Sequence, residues 1–143
     1  MKSAAELLVS QATPLCTVAP DATVFEALHL LAKHQVGALA VIDPQGKLMG
    51  IVSERDYTRK VALQGKNSRD AKVDEIMTRE VLVVNSKTRA RDCMALMSSH
   101  KIRHLPVVDG ETLLGVLSIR DLLDAIIADQ TNTIQQLESY IHS

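Results

Sequence analysis

Apolar residues follow two rhythms along the chain, and each rhythm occurs twice. Val24, Ala27, Leu28 and Leu31 recur at the spacing of a helix with one buried face, and so do Ala90, Cys93, Met94 and Met97. Short aliphatic runs bracket these helices: Cys16 to Val18 and Ala38 to Ile42 around the first, Val81 to Val84 and Leu105 to Val108 around the second. Their length and their turn-forming neighbours predict strands. An Asp/Gly turn follows in each half ("DPQG" and "DGE"), then another strand, then a second helix, from Glu54 to about Gln64 and from Ile119 to about Ala128. The expected order is strand, helix, strand, strand, helix: an α/β unit whose short mixed sheet is covered by helices.

The two halves are copies. They align with a single gap, in the turn after Asp43 and Asp109. Before it, Val18 matches Val84, Leu28 matches Met94 and His34 matches His100; after it, Gly50 matches Gly115, Ser53 matches Ser118 and Asp56 matches Asp121. A tandem duplication divides the chain into a helical lead-in (1–10), a first repeat (11–65), a polar linker (66–73), a second repeat (74–130) and a helical tail (131–143). In the tail region Leu123, Ile127, Gln130, Ile134, Leu137 and Ile141 recur at alternating steps of four and three, a heptad seam with one polar position. Thr131, Asn132 and Thr133 are expected to weaken the helix there. Packing back on the protein's own sheet and association with a partner both remain open for the part beyond Gln130.

Composition narrows the function. At 143 residues with 46% hydrophobic content, the chain can build one core or two small units that share one. A net charge of −1, with no Trp, one Phe and two Tyr, argues against nucleic acid, which asks for a basic field or aromatic platforms. Charge is uneven locally: Arg79, Lys87, Arg89, Arg91, Lys101 and Arg103 face only Glu80 and Asp92 in that stretch, which suits a small anion. No apolar run approaches the roughly 20 residues of a spanning helix, and the start does not read as an export signal, so a soluble cytoplasmic protein is expected. Cys16 and Cys93 read as small buried hydrophobes, and no His/Cys/carboxylate spacing suggests a metal. Arg89 and Arg91 read as a solvated helix face.

The repeated strings "GIVSERD" (50–56) and "GVLSIRD" (115–121) admit two readings. A Ser after a strand with an acid three residues on is a helix cap, and on that reading Ser53 with Asp56, and Ser118 with Asp121, only start helices. Arg55 and Arg120 do not fit it, because a cation in the first turn faces the positive end of the helix dipole. A ribose phosphate would account for all the members: helix-start amides and a guanidinium for phosphate, a Ser hydroxyl for phosphate or sugar oxygen, a carboxylate for both ribose hydroxyls.

The second copy, "EIMTREVLVV", helix, "KIRHLPVVD", turn, "LLGVLSIRDLL", resembles a CBS domain, and the two copies together resemble a CBS pair over roughly residues 8 to 130. The resemblance implies two repeats related by pseudo-twofold symmetry, with two clefts that accept an adenosyl ligand: AMP, ADP, ATP, NAD(H) or S-adenosylmethionine. It assigns ribose to Asp56 and Asp121, ribose or phosphate to Ser53 and Ser118, and the basic phosphate contacts to Arg103 and His104. The first copy has Gly37 and Ala38 at those two positions, small residues that let backbone approach a base but carry no charge. Val18, Ile51, Val84 and Val116 are the candidate adenine-facing aliphatics. Each cleft is expected to combine the S-x-x-D of one repeat with backbone around the first two strands of the other.

Two functions follow. In one, the protein is a non-catalytic regulatory module, a homodimer by resemblance, that senses an adenine nucleotide and acts on an effector protein in trans. In the other, it is a ligand-independent interaction or scaffold protein whose S-x-R-D motifs are only caps. An enzyme acting on nucleotides is disfavoured, because neither Ser motif has a base beside it and no nucleophile or metal site is evident.

Overall fold

The helical rhythms form two equivalent helices, and the aliphatic runs form the sheets beside them. The computed structural model describes residues 1–11 and 14–142, so positions 12 and 13 of the first repeat and 143 of the tail lie outside the described residues. The elements run α1 (Ala4–Ser10), β1 (Thr17–Val18), α2 (Val24–His34), β2 (Ala38–Ile42), β3 (Leu48–Ser53), α3 (Glu54–Tyr57), α4 (Val73–Ile76), α5 (Ala90–His100), β4 (His104–Asp109), β5 (Thr112–Ser118) and α6 (Ile119–His142). α3 continues into a π-helical stretch over Thr58–Ala62. β2 lies between a parallel β1 and an antiparallel β3; β4 and β5 form the matching antiparallel pair. Register is duplicated as well: Ala38 opposes Ser53 as His104 opposes Ser118, and each ladder is irregular at the equivalent place, Val41/Ile42 and Val107/Val108.

One predicted strand is missing, for an identifiable reason. Val81 to Val84 makes only a single bridge, Val84 to Val107. In the first copy Ala40 donates its N–H to the Cys16 carbonyl, which helps hold β1 in the sheet. The residue at Ala40's position in the second copy is Pro106, which has no N–H, so the equivalent bond cannot form and the strand shrinks to one bridge.

The segments that lead into the two repeats are exchanged. The lead-in does not pack on the repeat it precedes: Ala4 and Leu7 of α1 lie in the core of the second copy, with Val84, Cys93, Met97, Leu105, Leu117 and Leu122. Reciprocally, Val73, Ile76 and Met77 lie in the core of the first copy, with Val24, Leu31, Leu39, Val52 and Val61. The backbone repeats the exchange: Ala90 N–H donates to Lys2 O as Val24 N–H donates to Ala71 O, and Ala4 N–H donates to Thr88 O as Val73 N–H donates to Ala22 O. This reciprocity is the pseudo-twofold symmetry in atomic form. The linker is docked on the first copy as well: Phe25 N–H donates to Ser68 O.

The exchange explains the glycine that opens each repeated motif. A Cβ on Gly50 would stand 2.5 Å from the Thr78 carbonyl oxygen, and one on Gly115 would stand 2.6 Å from Leu8 Cδ2. Gly50→Ala must push away backbone that pairs with Ile51 through bonds of 3.0 and 2.8 Å, whereas Gly115→Ala displaces only the end of a side chain. We expect Gly50→Ala to cost roughly 1–3 kcal/mol and Gly115→Ala clearly less, measured by denaturant unfolding. Equal costs would show that the Ile51–Thr78 pairing is not rigid.

The last helix also differs from expectation. α6 does not stop near Ala128 but runs unbroken through Thr131, Asn132 and Thr133 to His142. From Gln130 onward every described residue is exposed, so this part does not fold back on the sheet.

Candidate functional site

Both S-x-R-D motifs sit where a strand ends and a helix begins, and both form complete capping boxes. Asp56 Oδ2 accepts from Ser53 N at 2.9 Å and Oγ at 3.0 Å, while Ser53 Oγ accepts from Asp56 N at 3.2 Å. The second copy repeats the three contacts with Ser118 and Asp121 at 2.8, 2.8 and 3.2 Å. The first helical amides are also engaged, Glu54 N–H to Gly37 O and Ile119 N–H to Arg103 O. Two of the first three amides of each helix are thus taken. The helix starts offer less to an anion than the motif alone suggests, and phosphate recognition falls to side chains.

Each motif faces the other repeat. Gln35 and Lys101, at equivalent positions, end α2 and α5 in left-handed conformation (φ 55° and 54°). They turn the chain so that the residues after them, Val36 to Ala38 and Ile102 to His104, form cleft walls. One cleft, of about 710 Å³, brings Ile51, Ser53, Arg55 and Asp56 of the first copy against Leu82, Lys101, Arg103 and His104 of the second. The other, of about 310 Å³, brings Val116, Ser118, Arg120 and Asp121 of the second copy against Cys16, Gly37 and Ala38 of the first. Both volumes fall in the range of small-ligand sites. The expected cross-repeat arrangement is present.

Val18 and Val84 do not line either cleft. Their side chains are buried in the two cores, and the cleft walls use Cys16 and Leu82, two residues upstream of each. The clefts differ sharply in charge. Arg55, Arg59, Lys60, Lys101 and Arg103 surround the larger one, against Glu54, Asp56 and Glu80; the smaller one holds Arg120 and Asp121 alone. Arg103 therefore belongs with Asp56 and not with the Asp of its own repeat. Sequence reading did not pick out Arg59 and Lys60, and it named Lys101 only as part of a basic stretch. Arg59 and Lys60 follow Arg55 and Asp56 by four residues, a helical spacing that places them on the motif's own face.

Each carboxylate has one further partner. Lys60 Nζ pairs with Asp56 Oδ1 at 3.1 Å and donates to Ile76 O at 2.8 Å. In the smaller cleft Gln11 Nε2 donates to Asp121 Oδ2 at 2.6 Å and to Val116 O at 3.1 Å. His104 stands between the clefts and lines both; its ring lies 3.5 Å from where a Gly37 Cβ would be. Burial pushes its pKa below the ordinary value, with Asp121 opposing and Arg103 reinforcing the shift. It is therefore neutral near pH 7 and can offer one ring N–H to a ligand. Among the described residues no group of His, Cys, Asp or Glu could hold a metal ion, and no helix is long and apolar enough to cross a membrane.

A duplicated α/β unit with exchanged lead-ins and two clefts between the copies defines a two-repeat module with paired ligand-sized sites. The chain belongs to the CBS domain family, whose pattern matches residues 6–63 and 73–128. It is 36% identical to the CBS domain-containing protein YhcV of Bacillus subtilis over 110 residues, 77% of each protein. It is 39% identical over 130 residues to CBSX3, a mitochondrial CBS domain-containing protein of Arabidopsis thaliana, covering 88% of this chain but 62% of that protein's length. A solved structure of a protein with CBS domains from Burkholderia ambifaria superposes with a TM-score of 0.84 at 42% identity, over 90% of this chain and 96% of that one. Tandem CBS domains are generally regulatory modules that bind adenosine ligands.

Proposed function

We propose that the protein is a non-catalytic sensor of adenine nucleotides that acts in trans on an effector protein, as a homodimer, in the cytoplasm, where Cys16 and Cys93 would stay reduced. The observation that carries this reading is the meeting, in one cleft, of a ribose-type acceptor pair from the first copy with a cationic wall from the second. Asp56 and Ser53 take the ribose there; Arg55, Lys101 and Arg103 take the phosphates, and His104 donates to them. Adenine rests against Ile51 and the Gly37 backbone. With five cations against three carboxylates, this cleft favours ligands with several phosphate charges: ATP, ADP or NAD(H) over S-adenosylmethionine. In the smaller cleft Ser118 and Asp121 take the ribose, Arg120 the phosphate, and Val116 with the Ala38 backbone the base. That cleft suits AMP or a less charged adenosyl ligand.

The test is a melting-temperature panel with AMP, ADP, ATP, NAD, NADH and S-adenosylmethionine. A ligand at a hundredfold excess over its Kd stabilises the folded form by about 2.7 kcal/mol. The shift should be largest for the phosphate-rich ligands, fall in Arg103→Ala, and weaken with added salt. No shift from any of the six at millimolar concentration would sink the reading.

One observation favours the scaffold alternative: in this structure both carboxylates are already engaged by their caps and by Lys60 or Gln11. On the sensing reading a ligand displaces Lys60 and Gln11 and leaves the caps in place, because a carboxylate can accept several hydrogen bonds at once.

A further inference from the structure

The ligand clefts use the N-terminal end of α6 and leave the rest of the helix unexplained. α6 has 24 residues, about 36 Å at 1.5 Å per residue. Its first half has two apolar faces. Leu122 is fully buried, and Ile119 and Ala125 pack against the same second-copy core. Leu123 and Ile127, about a quarter-turn away on the helix, are 46% and 58% exposed. That outer stripe continues past the body of the protein through Ile134, Leu137 and Ile141, which are 56%, 58% and 75% exposed. Thirteen residues from Gln130 to His142, with three poor helix formers among them, are too few to hold a helix in water without a packing partner.

The stripe itself specifies the partner. In heptad terms Ile127, Ile134 and Ile141 occupy the a positions, and Leu123, Gln130 and Leu137 the d positions. β-branched residues at a with Leu at d favour two parallel strands over other assemblies. Gln130 agrees: in a parallel pair it meets its own copy across the axis, where two amides can bond each other, whereas an antiparallel pair would bury it against Ile134. The flanking charges agree too. Asp124 and Glu138 are both e positions, which antiparallel pairing would bring together as like charges.

We propose that the outer face of α6 is the interface with a second copy of this chain, a parallel two-stranded coiled coil over Leu123 to Ile141. It joins the two modules through their last helices. This gives the homodimer proposed above a specific surface, and it is independent of which ligand binds.

Sedimentation and cross-linking of the full chain test it. The wild type should sediment at twice the 15.6 kDa chain mass, and Ile134→Asp with Leu137→Asp should sediment as a monomer that loses only the helical circular dichroism signal of the tail and keeps the cooperative melting transition of the body. Both substituted positions are exposed, so the body has no reason to unfold. In a Cys16→Ser background, Leu137→Cys alone should form an intermolecular disulfide. A dimer that survives the double substitution would overturn the coiled coil while keeping the homodimer. A monomeric wild type would overturn both. Cross-linking only when Ile127→Cys and Leu137→Cys are combined would overturn the parallel arrangement.

Discussion

Asp56→Ala is expected to weaken nucleotide binding in the larger cleft on the order of a hundredfold while costing the fold only about 1 kcal/mol, the usual cost of a lost cap. Two ribose hydroxyls donating to one carboxylate contribute roughly 1.5 kcal/mol each, and about 3 kcal/mol corresponds to somewhat more than a hundredfold in Kd. A competing effect has the opposite sign. Removing a carboxylate near bound phosphate relieves repulsion, but at about 6 Å in water that relief is on the order of 0.7 kcal/mol per charge, too small to reverse the loss. Loss of the Lys60 pair adds little, since the Lys60 side chain is 42% exposed to screening solvent and such pairs contribute on the order of 1 kcal/mol. Asp56→Asn separates the roles, because its amide oxygen can still accept from Ser53 and keep much of the cap while it loses the charge that ribose binding uses. Isothermal titration with ATP should show both variants severely impaired and Asp121→Ala nearly unaffected. If Asp56→Asn binds ATP like the wild type, the motif is a cap and nothing more, and the scaffold reading stands.

The contrast between Asp56 and Asp121 could not be drawn from the repeats alone. Periodicity located the two equivalent helices α2 and α5, and the paired motifs located both capped helix starts, because these depend on residues close together in the chain. The cross-repeat clefts were legible through the family resemblance. What local pattern could not supply was pairing between distant segments. Val18 and Val84 were candidates for the base through the family resemblance because they are aliphatic, yet the same property makes them core residues, and they are buried at 6% exposure. The loss of the strand at Val81 to Val84 was written in Pro106, but only the register of Val84 against Val107 shows that a donor was needed there. The distribution of charge follows the same logic. Arg103 lies far from Asp56 in sequence, and the pseudo-twofold exchange makes them neighbours across a cleft.

That exchange leads to the second large effect, which falls in an unexpected place. Leu7→Ala should destabilise the protein by roughly 2–5 kcal/mol, the range for removing a buried Leu side chain, because Leu7 is 2% exposed within the second-copy core. At about 2–4 °C per kcal/mol for a chain of this size, the melting temperature should fall by roughly 4–20 °C. The damage should appear first in the second copy, over a hundred residues away in sequence: amide exchange in Thr112–Ser118 should accelerate before exchange in Ala38–Ile42. Ile76→Ala, its counterpart, should do the reverse, since Ile76 completes the first-copy core. Each core needs a segment that belongs by sequence to the other half, so neither repeat is complete alone, and unfolding should be a single cooperative transition. Two separated transitions in the wild type, or faster exchange confined to the first copy in Leu7→Ala, would contradict the exchange. The side chains that hold the two carboxylates meet or adjoin the exchanged segments: Lys60 joins Asp56 to the Ile76 carbonyl, and Gln11, just beyond α1, joins Asp121 to the Val116 carbonyl. On the sensing reading proposed above, a nucleotide that displaced either side chain would release a tether at the end of an exchanged segment, and occupancy of one cleft would then change how firmly the two copies hold each other.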